Sequence, residues 1–213
     1  YNGIKFFSAS GSKLRDDQEA AIEAALQGEV EITEASGRNI GRYAQVAEAI
    51  DAYTDYLDEL MSVNGRDYHI VVDCANGAAS YIAEKVFTRA NLNVTMIGDR
   101  PNGTNINVNC GSTHLAQLQQ RVLEEGADAG LAFDGDADRF LAVDEKGRTV
   151  DGDRLMAIYA LAMKEEGRLA ENKLVVTVMS NLGLKLAMRD AQIDLVETGV
   201  GDRYVNEGMQ KTG

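Results

Sequence analysis

Apolar positions along the chain change period several times, and those changes predict the elements. Gly3-Ile4-Lys5-Phe6-Phe7 reads as a strand. Asp16 and Glu19 form a capping-box-like pair ahead of Ile22, Ala25 and Leu26 at helical spacing, and Gly28 supplies a stop. Residues 29–41 are polar and read as a linker. Val46, Ala49, Ile50, Tyr53, Leu57, Leu60 and Met61 then mark one face of a longer helix. A strand over 69–72, a turn at Cys74-Ala75-Asn76-Gly77, a helix over 78–90 and a strand over 94–97 follow. After the polar loop 98–111 come a helix over 113–125, with Leu115, Leu118 and Val122 on one face, and a strand over 129–133. Residues 140–143 continue as a strand into the turn 145–148. A second alternation has a helix over 155–164, a strand over 174–178 and a helix capped by Ser180 and ending at Asp190. A strand over 193–196, Gly199-Val200-Gly201 and a short helix complete it. Strands alternating with helices predict an α/β fold: mixed, mostly parallel sheets with flanking helices.

Composition narrows the classes. The 213 residues carry a formal net charge of −13, which argues against a nucleic-acid partner, since such binding needs Lys and Arg to replace counterions. No apolar run reaches the length of a membrane span, and a cytoplasmic setting is expected. Cys74 and Cys110 lie far apart with no C-x-x-C, so neither a disulfide framework nor a zinc knuckle is indicated. The chain opens at Tyr1 rather than Met and stops just after an expected helix, so it reads as an internal piece of a longer protein.

The chemistry concentrates in Asp134-Gly135-Asp136-Ala137-Asp138-Arg139, between two short strands. Three carboxylates at alternate positions suit a hard divalent cation. On a straight strand they would sit about 6–7 Å apart, too far to share one ion, so Gly135 and Ala137 must permit a bend. Without a cation, each pair of carboxylates at ~4 Å repels by roughly 4 kcal/mol at an effective dielectric near 20. An EF-hand loop matches through Asp134, Asp136, Asp138 and Glu145, but its sixth position requires Gly and here is Arg139, and the flanks read as strands. Arg139 beside the acids suggests a phosphate engaged by both; the alternative is a salt bridge to the acids themselves.

The loop Asp134–Arg139 resembles the metal-binding loop of the α-D-phosphohexomutases. Asn2-Gly3-Ile4-Lys5-Phe6 is similar to the segment after that family's phosphoserine loop, and Val71 to Ala78 resembles another family stretch. Asn105-Ile106-Asn107, Asn109 to His114 and Gly201-Asp202-Arg203-Tyr204-Val205 are similar to the bacterial branch acting on glucosamine phosphate. The resemblance implies repeated α/β domains. Residues 1–40 would be the tail of domain 1, 41–149 a complete domain 2 and 150–213 the start of domain 3. It implies interconversion of glucosamine 6-phosphate and glucosamine 1-phosphate through a phosphoserine and a bisphosphate. Asp134, Asp136 and Asp138 would hold Mg²⁺, Lys5 and Arg139 would stabilise the transferring group, and Asp202 and Arg203 would line the substrate side. The phosphoserine would precede Tyr1, leaving this chain alone inactive. A homodimer is compatible with the resemblance for the full-length enzyme.

Two rival readings remain: a family member acting on mannose or glucose phosphate, and a non-catalytic module binding a metal or phosphosugar. Elsewhere the residues point away from chemistry. Cys110 and His114 lack any sign of an activated thiol. His69 reads as a packed core histidine, and Gly199-Val200-Gly201 lacks the third glycine of a dinucleotide fingerprint.

Overall fold

The computed structural model describes residues 6–11, 13–42, 44, 46, 48–61, 65 and 67–213. Lys5 and most of the expected first strand lie outside the described residues. The chain divides into two units, Tyr1–Glu48 and Ala49–Gly213.

In the first unit, Phe7 and Lys13 form an isolated antiparallel bridge, and helix α1 spans Asp16–Leu26. Its cap is Arg15, one residue earlier than the acid pair suggests, because the Gln18 side chain accepts the Arg15 N–H at 3.4 Å. Asp16, Asp17 and Glu19 instead occupy the first turn, where the helix dipole favours negative charge. No residue of α1 is buried, and the stretch to residue 41 is coil apart from one turn at Gly37–Asn39.

Helix α2 spans Glu48–Leu60. Its apolar stripe is largely outward, with Ile50, Tyr53 and Leu60 exposed, while the buried residue is Thr54, whose hydroxyl donates to the Ile50 carbonyl. The reason lies on helix α3 (Ala83–Arg89). Asp51, Asp55 and Asp58 recur at helical spacing and meet Lys85 and Arg89, also one turn apart. A complementary charge ladder therefore joins one face of α2 to α3.

The second unit contains a five-stranded sheet ordered β2-β1-β3-β4-β5, with β1 His69–Asp73, β2 Asn93–Ile97, β3 Ala129–Phe133, β4 Phe140–Asp144 and β5 Thr149–Val150. β2, β1 and β3 are parallel, with Val71 opposite Thr95 on one side and Gly130 on the other. β4 and β5 are antiparallel additions. Successive β1 side chains point to opposite faces. Val71 packs with Leu118 and Val122 of helix α4 (Ala116–Glu125), while Ile70 and Val72 pack with Ala79 and Ala83 on the α3 side. The result is three layers, helix on sheet on helix. The helix expected over 78–90 is two pieces, a single turn at Ala78–Tyr81 and α3, broken at Ile82.

A further parallel pair, β6 (Lys173–Thr177) and β7 (Asp194–Thr198), is flanked by helices α5 (Gly152–Glu165), α6 (Leu182–Asp190) and α7 (Asp202–Thr212). Ala160, Val176, Leu184, Met188 and Ile193 form its core. Asn181, not Ser180, caps α6 by accepting from the Leu184 N–H at 3.0 Å, and Asp151 caps α5 in the same way. Gly208 lets α7 lie on the sheet, since a Cβ there would come within 2.9 Å of Val175 and Thr198. Among the described residues no helix is long and apolar enough to cross a membrane.

Candidate active site

β1 lies between β2 and β3, so the chain leaves β1 towards one side of the sheet and later returns on the other. Such a switch point opens a crevice at the carboxyl ends of the parallel strands, where ligands of open α/β sheets bind. Three loops meet there: 74–77 after β1, 98–111 after β2, and Asp134–Arg139 after β3.

The acid loop is held by backbone contacts. Ala78 donates its N–H to the Gly135 carbonyl at 2.9 Å, and Ser112 donates to the Phe133 carbonyl at 2.9 Å. A Cβ on Gly77 would lie 2.3 Å from the Gly135 oxygen, and one on Gly135 would lie 2.7 Å from both Asn107 Nδ2 and Ile106 Cδ1. Gly135 is thus seated between two other loops. The expected bend is present at Ala137, whose φ is +59°.

Asp134 is buried, while Asp136, Asp138 and Arg139 are exposed. Asp134 Oδ1 accepts the N–H groups of Asp138 and Arg139 at 3.2 Å each. Its Oδ2 accepts from Arg139 Nε at 3.0 Å and pairs with Nη2 at 2.9 Å. Arg139 Nε also lies 3.7 Å from Asp138 Oδ1. The arginine therefore neutralises the acids directly. The convergence of all three carboxylates expected from their spacing differs from what is observed: among the described residues no three His, Cys, Asp or Glu side chains gather round one point. By donor type the loop still fits a hard divalent cation, since it offers three carboxylates with neither sulfur nor imidazole. Arg139 competes with any such cation for Asp134 Oδ2.

An apolar groove of about 410 Å³ runs beside the loop, lined by Tyr53, Leu57, Ile82, Phe87 and Phe133 and reaching Asp136 and Ala137. Its lining suits packing rather than a phosphate. Asp202 and Arg203 stand at the head of α7, after Gly201 with φ +140°. Asp202 accepts the Arg203 N–H at 2.8 Å, and Arg203 Nε donates to Glu207 at 3.0 Å.

Sequence reasoning passed over Asp73, Asn76 and Gly111 as individual residues. Asp73 is fully buried, and its carboxylate accepts from Ala75 at 2.9 Å and Gly111 at 2.7 Å. Burial pushes its carboxyl above the usual range, against the opposing pull of the Gly111 and Ala75 amides. A charged residue directly after the apolar run Ile70-Val71-Val72 was the available signal.

Cys74 and Cys110 are both free and buried. Burial pushes the Cys74 thiol up to about 12, with the Asp73 and Asp99 charges adding to it. Burial also raises Cys110, whose sulfur accepts from Asn76 Nδ2 at 3.6 Å. His114 bonds the Thr113 hydroxyl at 3.0 Å. His69 is half-buried, with Nε2 3.0 Å from Thr95 Oγ1 and 3.3 Å from Glu125 Oε2. Iodoacetamide at pH 8 should label both cysteines at least ~100-fold more slowly in the folded chain than in guanidinium, because the attacking species is the thiolate. Similar rates in both states would contradict the burial.

Residues 51–147 match the family profile described as phosphoglucomutase/phosphomannomutase, alpha/beta/alpha domain II, and residues 151–213 match domain III of the same family. The chain belongs to the phosphoglucomutase/phosphomannomutase family. Within it, the chain is 51% identical over 213 residues to a phosphoglucosamine mutase of Carboxydothermus hydrogenoformans, covering 100% of this chain and 48% of that protein. It is 53% identical over 212 residues to a phosphoglucosamine mutase of Leifsonia xyli, covering 100% of this chain and 46% of that protein. The chain thus spans about half the length of the curated relatives it matches. A solved phosphoglucomutase/phosphomannomutase family protein from Burkholderia thailandensis shares the fold at TM-score 0.75 and 21% identity, over 95% of this chain and 43% of that one. An Aspergillus fumigatus N-acetylphosphoglucosamine mutase solved with glucose 1,6-bisphosphate aligns at TM-score 0.54 and 20% identity, over 78% of this chain and 34% of that one.

Proposed function

We propose that the chain carries the cation-binding part of a phosphosugar mutase that interconverts glucosamine 6-phosphate and glucosamine 1-phosphate. Identity of about half the residues along the whole chain to phosphoglucosamine mutases carries this reading. The seating of Asp134–Arg139 at the switch point supports it, since phosphoryl transfer needs oxyanion charge held in a fixed place. In this reading a phosphoserine gives its phosphoryl group to the free hydroxyl of the sugar phosphate. The resulting bisphosphate turns over, and its other phosphate returns to the serine.

Asp134, Asp136 and Asp138 would hold the divalent cation, Mg²⁺ by donor type, which when bound neutralises charge on the phosphoryl oxygens. Arg139 would exchange its bond with Asp134 for a peripheral phosphate oxygen, a change its exposed position allows. Lys5, outside the described residues, would stabilise the same charge, and Asp202 and Arg203 would line the substrate side. We place the domain boundaries at 1–40, 41–149 and 150–213. We also place the protein in the cytoplasm, a reducing setting that suits two free thiols.

A coupled assay for glucosamine 1-phosphate on the full-length enzyme tests this. Glucosamine 6-phosphate should be preferred over glucose and mannose 6-phosphates in kcat/KM, and Arg139→Lys should lose at least ~10-fold, because lysine cannot grip two phosphate oxygens through a planar fork. Better turnover of mannose or glucose phosphate would overturn the sugar assignment. Unchanged kinetics in Arg139→Lys would leave Arg139 as a partner of Asp134 only.

A further inference from the structure

Asp73 poses a question of solvation. A carboxylate fully withdrawn from water is costly unless its charge is paired or hydrogen-bonded. Among the described residues no Lys, Arg or His forms an ion pair with it. Its two oxygens are taken instead by backbone N–H groups from separate loops, Ala75 on Oδ1 and Gly111 on Oδ2. The other end of the 98–111 loop also closes on it: Gly98 has φ +56°, and a Cβ there would come within 2.4 Å of Asp73 Oδ1. Asn76 continues the tie, with its N–H on the Gly98 carbonyl, its Oδ1 accepting from Arg100 and its Nδ2 on the Asn105 carbonyl. These are the loops against which the acid loop is seated, through Ala78 to Gly135, Ser112 to Phe133, and Ile106 and Asn107 against Gly135.

We propose that Asp73 is a positioning residue for the Asp134–Arg139 loop, its buried carboxylate clamping together the two strand-end loops between which Gly135 is held. The geometry explains why an acid stands here rather than its isosteric amide. A carboxylate can accept at both oxygens, whereas asparagine would set an NH₂ group against one of the two N–H donors. Released from Gly111, the far end of loop 98–111 would be held to the β1 loop only through the Asn107 N–H on the Ala75 carbonyl and the Asn76 contacts, and the wall of Gly135's seat would loosen. The inference deepens the proposed function, because this is the loop assigned to the cation. It stands on contacts that need no cation, so it can fail while that function holds.

The test is residue-resolved amide hydrogen exchange on the 213-residue chain without metal, comparing wild type, Asp73→Asn and Leu118→Ala. Leu118 is buried on the α4 face of the sheet, so its truncation loosens the core without touching the three loops. In Asp73→Asn the amides of Ala78, Ser112, Ala137, Asp138 and Arg139 should exchange at least ~10-fold faster relative to that of Val143, whereas Leu118→Ala should produce no acceleration of these amides beyond that of Val143. Acid-loop amides exchanging at wild-type rates in Asp73→Asn, or rising only in step with Val143, would overturn the proposal. Should Asp73→Asn not fold, the wild type alone decides: the Ala75 and Gly111 amides held by Asp73 should open with the same free energy as the amides of Ala137, Asp138 and Arg139. Acid-loop amides that open independently of Ala75 and Gly111 would contradict the clamp equally.

Discussion

Replacing Gly77 by alanine should unseat the acid loop and destabilise the fold by about 1–3 kcal/mol, the usual cost of overpacking a close contact. Gly77 has φ −115° and ψ −155°, an extended conformation open to any residue, so the penalty is one of space and not of backbone preference. The added Cβ would meet the Gly135 oxygen at 2.3 Å, its Cα at 2.7 Å and its carbonyl carbon at 2.8 Å. All three are backbone atoms, so no side chain can swing aside. Either loop 74–77 or Asp134–Arg139 must move, and the bond from Ala78 to Gly135 goes with it. A thermal melt should fall by roughly 2–4 °C for each kcal/mol lost in a chain of this size. Gly152→Ala is the control, because nothing lies within 4 Å of its Cβ position and no positive φ is involved. An unchanged melt for Gly77→Ala would show that the loops are free to shift.

Much of this architecture is legible in the residues, and the limits of that legibility have physical causes. Val71, Leu118 and Val122 were readable as core because a buried strand and a helical stripe each carry their own period. The stripe on α2 was equally visible, yet Ile50, Tyr53 and Leu60 face outward. A stripe identifies an apolar face without saying what covers it, and here the row Asp51, Asp55, Asp58 found Lys85 and Arg89. Caps moved by one residue, from Asp16 to Arg15 and from Ser180 to Asn181, because neighbouring polar side chains compete for the same N–H groups. At the site, the acids and the bend at Ala137 could be read locally. The pairing of Asp134 with Arg139 appeared only as an alternative, and the clamp formed by Asp73 was out of reach. Its carboxylate joins residues 38 positions apart, a contact that no local period encodes.

The assignment of the three aspartates carries the second large effect. Asp136→Ala should weaken divalent-cation binding by more than ~100-fold, beyond the 10–100-fold typical of losing an outer-shell partner, because it removes a direct ligand. Asp136 is exposed and forms no part of the core, so the substitution should leave the melt within about 0.5 kcal/mol of wild type. Mn²⁺ is the suitable probe, being visible by electron paramagnetic resonance and at home among oxygen ligands like Mg²⁺. Affinity in the absence of a phosphate should be weak, with dissociation on the order of millimolar, since Arg139 competes for Asp134 and the hydrated cation gives up its waters reluctantly. The decisive measurement is a Mn²⁺ titration of wild type and Asp136→Ala side by side. One saturable site in wild type that vanishes in the variant is the result expected. Equal binding by both proteins, or no saturable binding by wild type, would contradict the assignment of this loop to a cation.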